Sequence, residues 1–121
     1  MNLKLGAVIE MAWVYLLAAS MCEVAATTVY RFTEGLTRVW PTAGLALLGV
    51  FSLYLLHRSV SPTAGEAIPI GTAYAVWTGI GAAGTVIVGM VAFGEPYEAL
   101  RILLLILIIG SIVGLKLISG V

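Results

Sequence analysis

The sequence predicts an all-α integral membrane protein of four transmembrane helices, and three observations carry that expectation. Hydrophobic residues fill 61% of 121 positions and charged residues 10%, against roughly 25% charged in an ordinary soluble domain. The mean hydropathy of +1.11 points to lipid as the solvent. Uncharged or nearly uncharged runs cover residues 11–30, 39–56, 67–94 and 102–121, each close to or above the ~20 residues a helix needs to cross the hydrocarbon core. Of the 12 charged residues, only Glu23 and Lys116 interrupt a run. The runs are too long for strands and do not alternate with period two, which excludes a barrel.

The spans fall at about 11–30, 39–56, 67–93 and 101–119, in one domain covering 11–121 behind an N-terminal extension of residues 1–10. Lys4, the apolar run and Ala18-Ala19-Ser20 have the look of a cleaved signal. Met21 before Cys22 is wrong for a lipoprotein signal, and Glu10 is wrong for an apolar signal core, so the segment is expected to be retained. Met11 is an alternative start. Pro41, Pro69 and Pro96 lie near span starts, where a missing N–H costs little. The loops are 31–38, 57–66 and 95–101, the second of them long.

Four helices put both termini on one side. That side carries Lys4, Arg58 and Lys116, and the other carries Arg31, Arg38 and Arg101. The positive-inside rule needs an asymmetry, and three against three gives none. The balance fits a chain that inserts both ways up and pairs as an antiparallel dimer, although small counts also balance by chance. Zero net charge removes a nucleic-acid footprint. One cysteine, Cys22, and one histidine, His57, supply neither a disulfide nor a metal set, and no nucleophile–base pair is present. No enzyme activity and no cofactor are expected.

Glu23 lies in mid-span, where a carboxylate costs about 2.5–3.5 kcal/mol on insertion scales. Desolvation disfavours its charged form. A proton and an organic cation become alternative ways to neutralise it, so one carboxylate that holds either but not both is an exchanger by construction. The bland reading is a structural carboxyl bonded to a neighbour. Ser20, Ala26 and Thr27 lie three or four residues away on the same side of the helix, with Leu16 and Ala19 continuing it. Small residues there admit a ligand, or simply allow close packing. In the third span Tyr74 and Trp77 share a face and can wall a cation site, or serve as ordinary packing. Gly79, Gly81 and Gly84 invite a bend or a close backbone approach, with Gly79 and Gly81 as the hinge candidates. In the fourth span Gly110 and Gly114 form a GxxxG dimer-packing pattern. Lys116 lies on another face, either as a snorkelling lysine or as a member of the site network. Ser52 and Tyr54 in the second span are polar enough to join that network.

Three stretches of the chain, 23–41 (EVAATTVYRFTEGLTRVWP), 68–81 (IPIGTAYAVWTGIG) and 114–116 (GLK), resemble the small multidrug resistance family of bacterial transporters. The resemblance runs from Met11 to about Ser119. It implies proton-coupled export of organic cations across the bacterial inner membrane by an antiparallel dimer, with one site between two copies of Glu23. It matches Tyr74 and Trp77 to the family's third-helix aromatic pair. Ser52 and Lys116 match the second-helix hydroxyl and fourth-helix lysine of a guanidinium-exporting subtype. The subtype features are mixed. The first stretch is similar to the multidrug exporters, and Ala26 stands where the guanidinium subtype usually has a tryptophan. Ala26 therefore favours quaternary ammonium or other hydrophobic cations as cargo, with guanidinium or a substituted guanidinium as the alternative. In the mechanism the resemblance implies, Tyr74, Trp77, Ala26 and Thr27 line the site and Ser52 orients the Glu23 carboxylate. Pairing with itself gives a homodimer, and pairing with a paralogue a heterodimer. A reading of another class is a non-transporting partner subunit, which needs the GxxxG packing but not an ionisable core.

Overall fold

A computed structural model of the chain describes residues 2–60 and 68–119. The longer loop at 57–66 and the C-terminal end lie largely outside the described residues. Four helices follow one another: α1 (Asn2–Tyr30), α2 (Val39–Val60), α3 (Ile70–Ala92) and α4 (Ala99–Ser119), with a short 3-10 turn at Arg31–Thr33 after α1. All four are long and apolar enough to span a membrane, the spanning part of the first being Ile9–Thr33. A 22-residue helix such as α2 is ~33 Å long at ~1.5 Å per residue. The helix α1 continues without a break through residues 2–10.

Local chemistry sets the ends. Thr33 builds the α1–α2 turn: its hydroxyl donates to the Tyr30 carbonyl at 2.8 Å and accepts from the Leu36 N–H at 3.1 Å. Around it Glu34, Gly35 and Leu36 have φ of 49°, 72° and 68°, a left-handed run that non-glycine residues seldom adopt. Pro69 precedes α3 with φ −56° and ψ 141°, outside the helical region. At the other end of α3, Gly94 at φ +69° turns the chain back. The N–H groups of Phe93 and Glu95 then both reach the Gly89 carbonyl at 3.1 Å.

The helix α1 sits at the centre and packs on both α2 and α3, while α4 leans on α3. The main core joins Ala12, Trp13, Leu16 and Ala19 of α1 to Leu55 and Leu56 of α2 and to Ile68, Ala73 and Val76. A smaller cluster joins Ala83 and Met90 of α3 to Leu105 of α4. Large apolar side chains on α2 (Leu47, Val50, Phe51, Leu53) and α4 (Leu103, Ile106, Leu107, Val113) face outward. Such surface is what lipid or a second chain covers.

Close approach of α1 to α3 depends on Gly84. A Cβ there would stand 2.5 Å from Val24 Cγ2, whereas one at Gly49 of α2 meets nothing within 4 Å. Gly84→Ala is expected to destabilise the chain by ~1–3 kcal/mol through overpacking, read as a lower detergent melting temperature. Gly49→Ala is expected to leave that temperature unchanged.

Candidate functional site

Glu23 and Thr27, one turn apart on α1, face Trp77, Thr78, Gly81, Ala82, Thr85 and Val86 of α3 across a groove of about 370 Å³. Gly81 makes the groove. It is buried against the Glu23 side chain, and a Cβ there would lie 3.1 Å from Glu23 Cγ. The next turn closes through a hydrogen bond between the hydroxyls of Thr27 and Thr85, 2.6 Å apart.

The hydroxyls of the groove and of α1 behind it have backbone partners within their own helices. Ser20 donates to the Leu16 carbonyl at 2.8 Å, Thr78 to Tyr74 at 2.8 Å and Thr85 to Gly81 at 2.6 Å. Thr27 lies 3.1 Å from the Glu23 carbonyl and 3.0 Å from that of Val24. This is the usual way a hydroxyl is accommodated in an apolar span. The Glu23 carboxylate differs. Among the described residues no side chain or backbone N–H donates to it, and the ion pairs formed are Arg38–Glu34 and Arg101–Glu95. The groove thus offers, among the described residues, one ionisable acceptor that no other group of the chain neutralises.

Ser52 differs from its expected role. Its hydroxyl is fully buried, donates to the Ala19 carbonyl at 2.7 Å and accepts from Trp77 Nε1 at 3.0 Å. A serine has one proton to give, and it is spent on Ala19. Ser52 therefore holds the Trp77 indole in place and does not orient the Glu23 carboxylate. Tyr74 packs on Trp77 with ring centroids 5.8 Å apart and a 52° tilt, but it is exposed and does not border the groove. Ala26 is 3% exposed and lies off the groove lining. The room left by a small residue there does not widen this cavity.

The remaining sequence candidates lie elsewhere. Lys116 places its ammonium 4.5 Å from the Trp13 ring centroid, linking α4 to α1 by a cation–π contact. Gly79 seats α4, since a Cβ would stand 2.9 Å from Ile112 Cδ1. The helix α3 runs unbroken through Gly79 and Gly81. Gly110 and Gly114 have open space where a Cβ would be, leaving that strip of α4 clear on the outside. Thr85 was not legible as a site residue. Its signal is its spacing, four residues after Gly81 and four before Gly89, matched by Glu23 and Thr27 on α1 and by Arg31 just after it.

The coupling between Ser52 and Trp77 is measurable. Ser52→Ala strands the indole N–H and is expected to cost about 1–3 kcal/mol. Trp77→Phe added to it removes the stranded donor, so the double variant is expected to lose less than the two single losses summed. Thermal unfolding in detergent of the four proteins of that cycle reads the coupling.

Known proteins supply the frame for this geometry. The sequence profile described as Small Multidrug Resistance protein matches residues 11–108. A protein named guanidinium exporter from Proteus vulgaris is 38% identical over 109 residues, covering 90% of this chain and 100% of the relative. Proteins of the same name from Yersinia pseudotuberculosis, 41% identical with the same coverage, and from Escherichia coli O6:H1, 40% identical over 88% of this chain and 97% of the relative, are similarly close. A four-helix span pattern, matched along most of its length by these transport proteins, places the chain in the small multidrug resistance family of membrane transporters.

Proposed function

We propose that the chain is a proton-coupled antiporter that exports guanidinium or a substituted guanidinium across the bacterial inner membrane, with Glu23 taking cation and proton in turn. The observation that carries this reading is the unpartnered Glu23 carboxylate on a groove whose hydroxyls are bonded elsewhere, Thr78 and Thr85 to carbonyls of their own helix and Thr27 to Thr85. A carboxylate in a low-dielectric span holds one neutralising partner at a time. Cation arrival releases the proton, and proton arrival releases the cation.

Two considerations turn the cargo toward guanidinium and away from the quaternary ammonium that Ala26 favoured. The similar relatives are named guanidinium exporters. Ala26 is buried off the groove, so its small size does not argue for a bulky cargo there. A planar guanidinium also suits the chemistry: it can hydrogen-bond a carboxylate through two N–H groups and stack on an indole, and Trp77 borders the groove with its ring held by Ser52. Transporters of this family work as oligomers, generally dimers. Here an antiparallel pair of identical copies brings two Glu23 residues to one site, with the outward strip at Gly110 and Gly114 as packing surface and Tyr74 turned toward the partner. Bending of α3 at Gly79 and Gly81 is the motion by which that site changes sides.

Reconstituted protein under an imposed pH gradient is expected to accumulate guanidinium, and Glu23→Gln to reduce uptake to the passive leak. Proton-driven uptake retained by Glu23→Gln would sink the mechanism. Uptake of tetraalkyl or aryl ammonium ions, with guanidinium ignored, would return the cargo to the bulky cations.

A further inference from the structure

A second, smaller cavity of about 120 Å³ lies at the loop end of the groove, bordered among others by Arg31, Gly89, Phe93 and Glu95. Thr27 and Thr85 border both cavities, so their hydrogen bond is the partition between the two. The two acids stand on matching seats: Glu23 packs on Gly81 and the Glu95 carboxylate packs on Gly89. Eight residues of helix separate those seats, ~12 Å at ~1.5 Å per residue, with Thr85 midway.

Two residues of this lining, Phe93 and Glu95, are already engaged by guanidinium groups. Arg101 Nη2 donates to Glu95 Oε1 at 2.6 Å. The Arg31 guanidinium lies 4.2 Å from the Phe93 ring centroid, and Phe32 braces that ring edge-on with centroids 6.0 Å apart. A carboxylate and an aromatic face are the two elements that recognise this ion. Both are engaged here by the chain's own arginines. The Arg101 and Glu95 side chains keep 31% and 40% of their exposure. The pair is thus partly exposed, and an ion pair so placed contributes little enough for an outside cation to compete with it.

We infer that Glu95 is a peripheral cation station that takes guanidinium-type cargo at the membrane boundary and passes it past Thr27 and Thr85 to Glu23. Arg101 is the internal competitor that occupies the station when cargo is absent. The inference rests on the proposed export of guanidinium and adds a second carboxylate to its route. The alternative is a simple staple, in which Glu95 and Arg101 fasten the α3–α4 loop and have no dealings with cargo.

The two accounts predict different signs. Initial rates of proton-driven guanidinium uptake in proteoliposomes, measured across concentration, give kcat/KM for the wild type, Glu95→Gln and Arg101→Gln. For a station, Glu95→Gln lowers kcat/KM and Arg101→Gln raises it, each by roughly fivefold, the scale of an exposed ion pair. For a staple, both variants move the same way, and that result overturns the inference. Should Glu95→Gln fail to fold, Arg101→Gln decides alone: a raised kcat/KM supports the station, and an unchanged or lowered one refutes it. A wild type that takes up no guanidinium would refute the proposed cargo itself, which separates the two failures.

Discussion

Contact between α1 and α3 governs the rest of the molecule, because it makes room for a carboxylate in the middle of an apolar span. Gly81 and Gly84 remove the two Cβ atoms that would collide with Glu23 and Val24. The backbone of α3 can then run beside α1, and the threonine pair one turn further on joins the two helices by a hydrogen bond. A charged carboxylate in lipid is expensive. Set against glycine, Glu23 borders an open groove without breaking the helix that carries it. The same contact that stabilises the bundle thus exposes its reactive group.

The other helices serve this pair in different ways. The helix α2 reaches across α1 with Ser52, which ties the Ala19 carbonyl to the Trp77 indole and so fixes one wall of the groove. The helix α4 is seated on α3 at Gly79 by Ile108 and Ile112, and Lys116 covers Trp13. Much of the apolar surface of α2 and α4 remains uncovered within one chain, as does the GxxxG strip of α4. Within a single chain this surface is left for lipid or a further chain to cover. At the loop end Arg31 lies over the Phe93 ring and Arg101 pairs with Glu95, beyond the threonine pair that ends the groove.

Much of this was legible in the sequence, for definite reasons. Four runs of about spanning length, two charge-free and two with a single charge, dictate four helices, because a backbone in lipid must satisfy its own hydrogen bonds. Glu23 stands out as an ionisable group in one of those runs, and Trp77 as a polar-tipped aromatic in another. The partners were harder to read. Ser52 was expected to orient the carboxylate, but which acceptor a serine reaches depends on helix rotation, which composition does not determine. Ala26 was given a place on the site because it is three residues from Glu23. At ~100° per residue that spacing leaves it ~60° away on the opposite side from Thr27, far enough to be buried off the groove. Thr85 and Gly81 as a seat depend on the register of α3 against α1, which no single helix encodes, and the Glu95–Arg101 pair depends on the path of the α3–α4 loop.

The central claim is that cation and proton compete for the same carboxylate. The most direct measurement is the pH change when guanidinium is added to purified protein in weakly buffered detergent, with Glu23→Gln alongside. Competition predicts protons released by the wild type in step with guanidinium bound, and none released by the variant. Guanidinium binding without proton release, or the same release from Glu23→Gln, would contradict it.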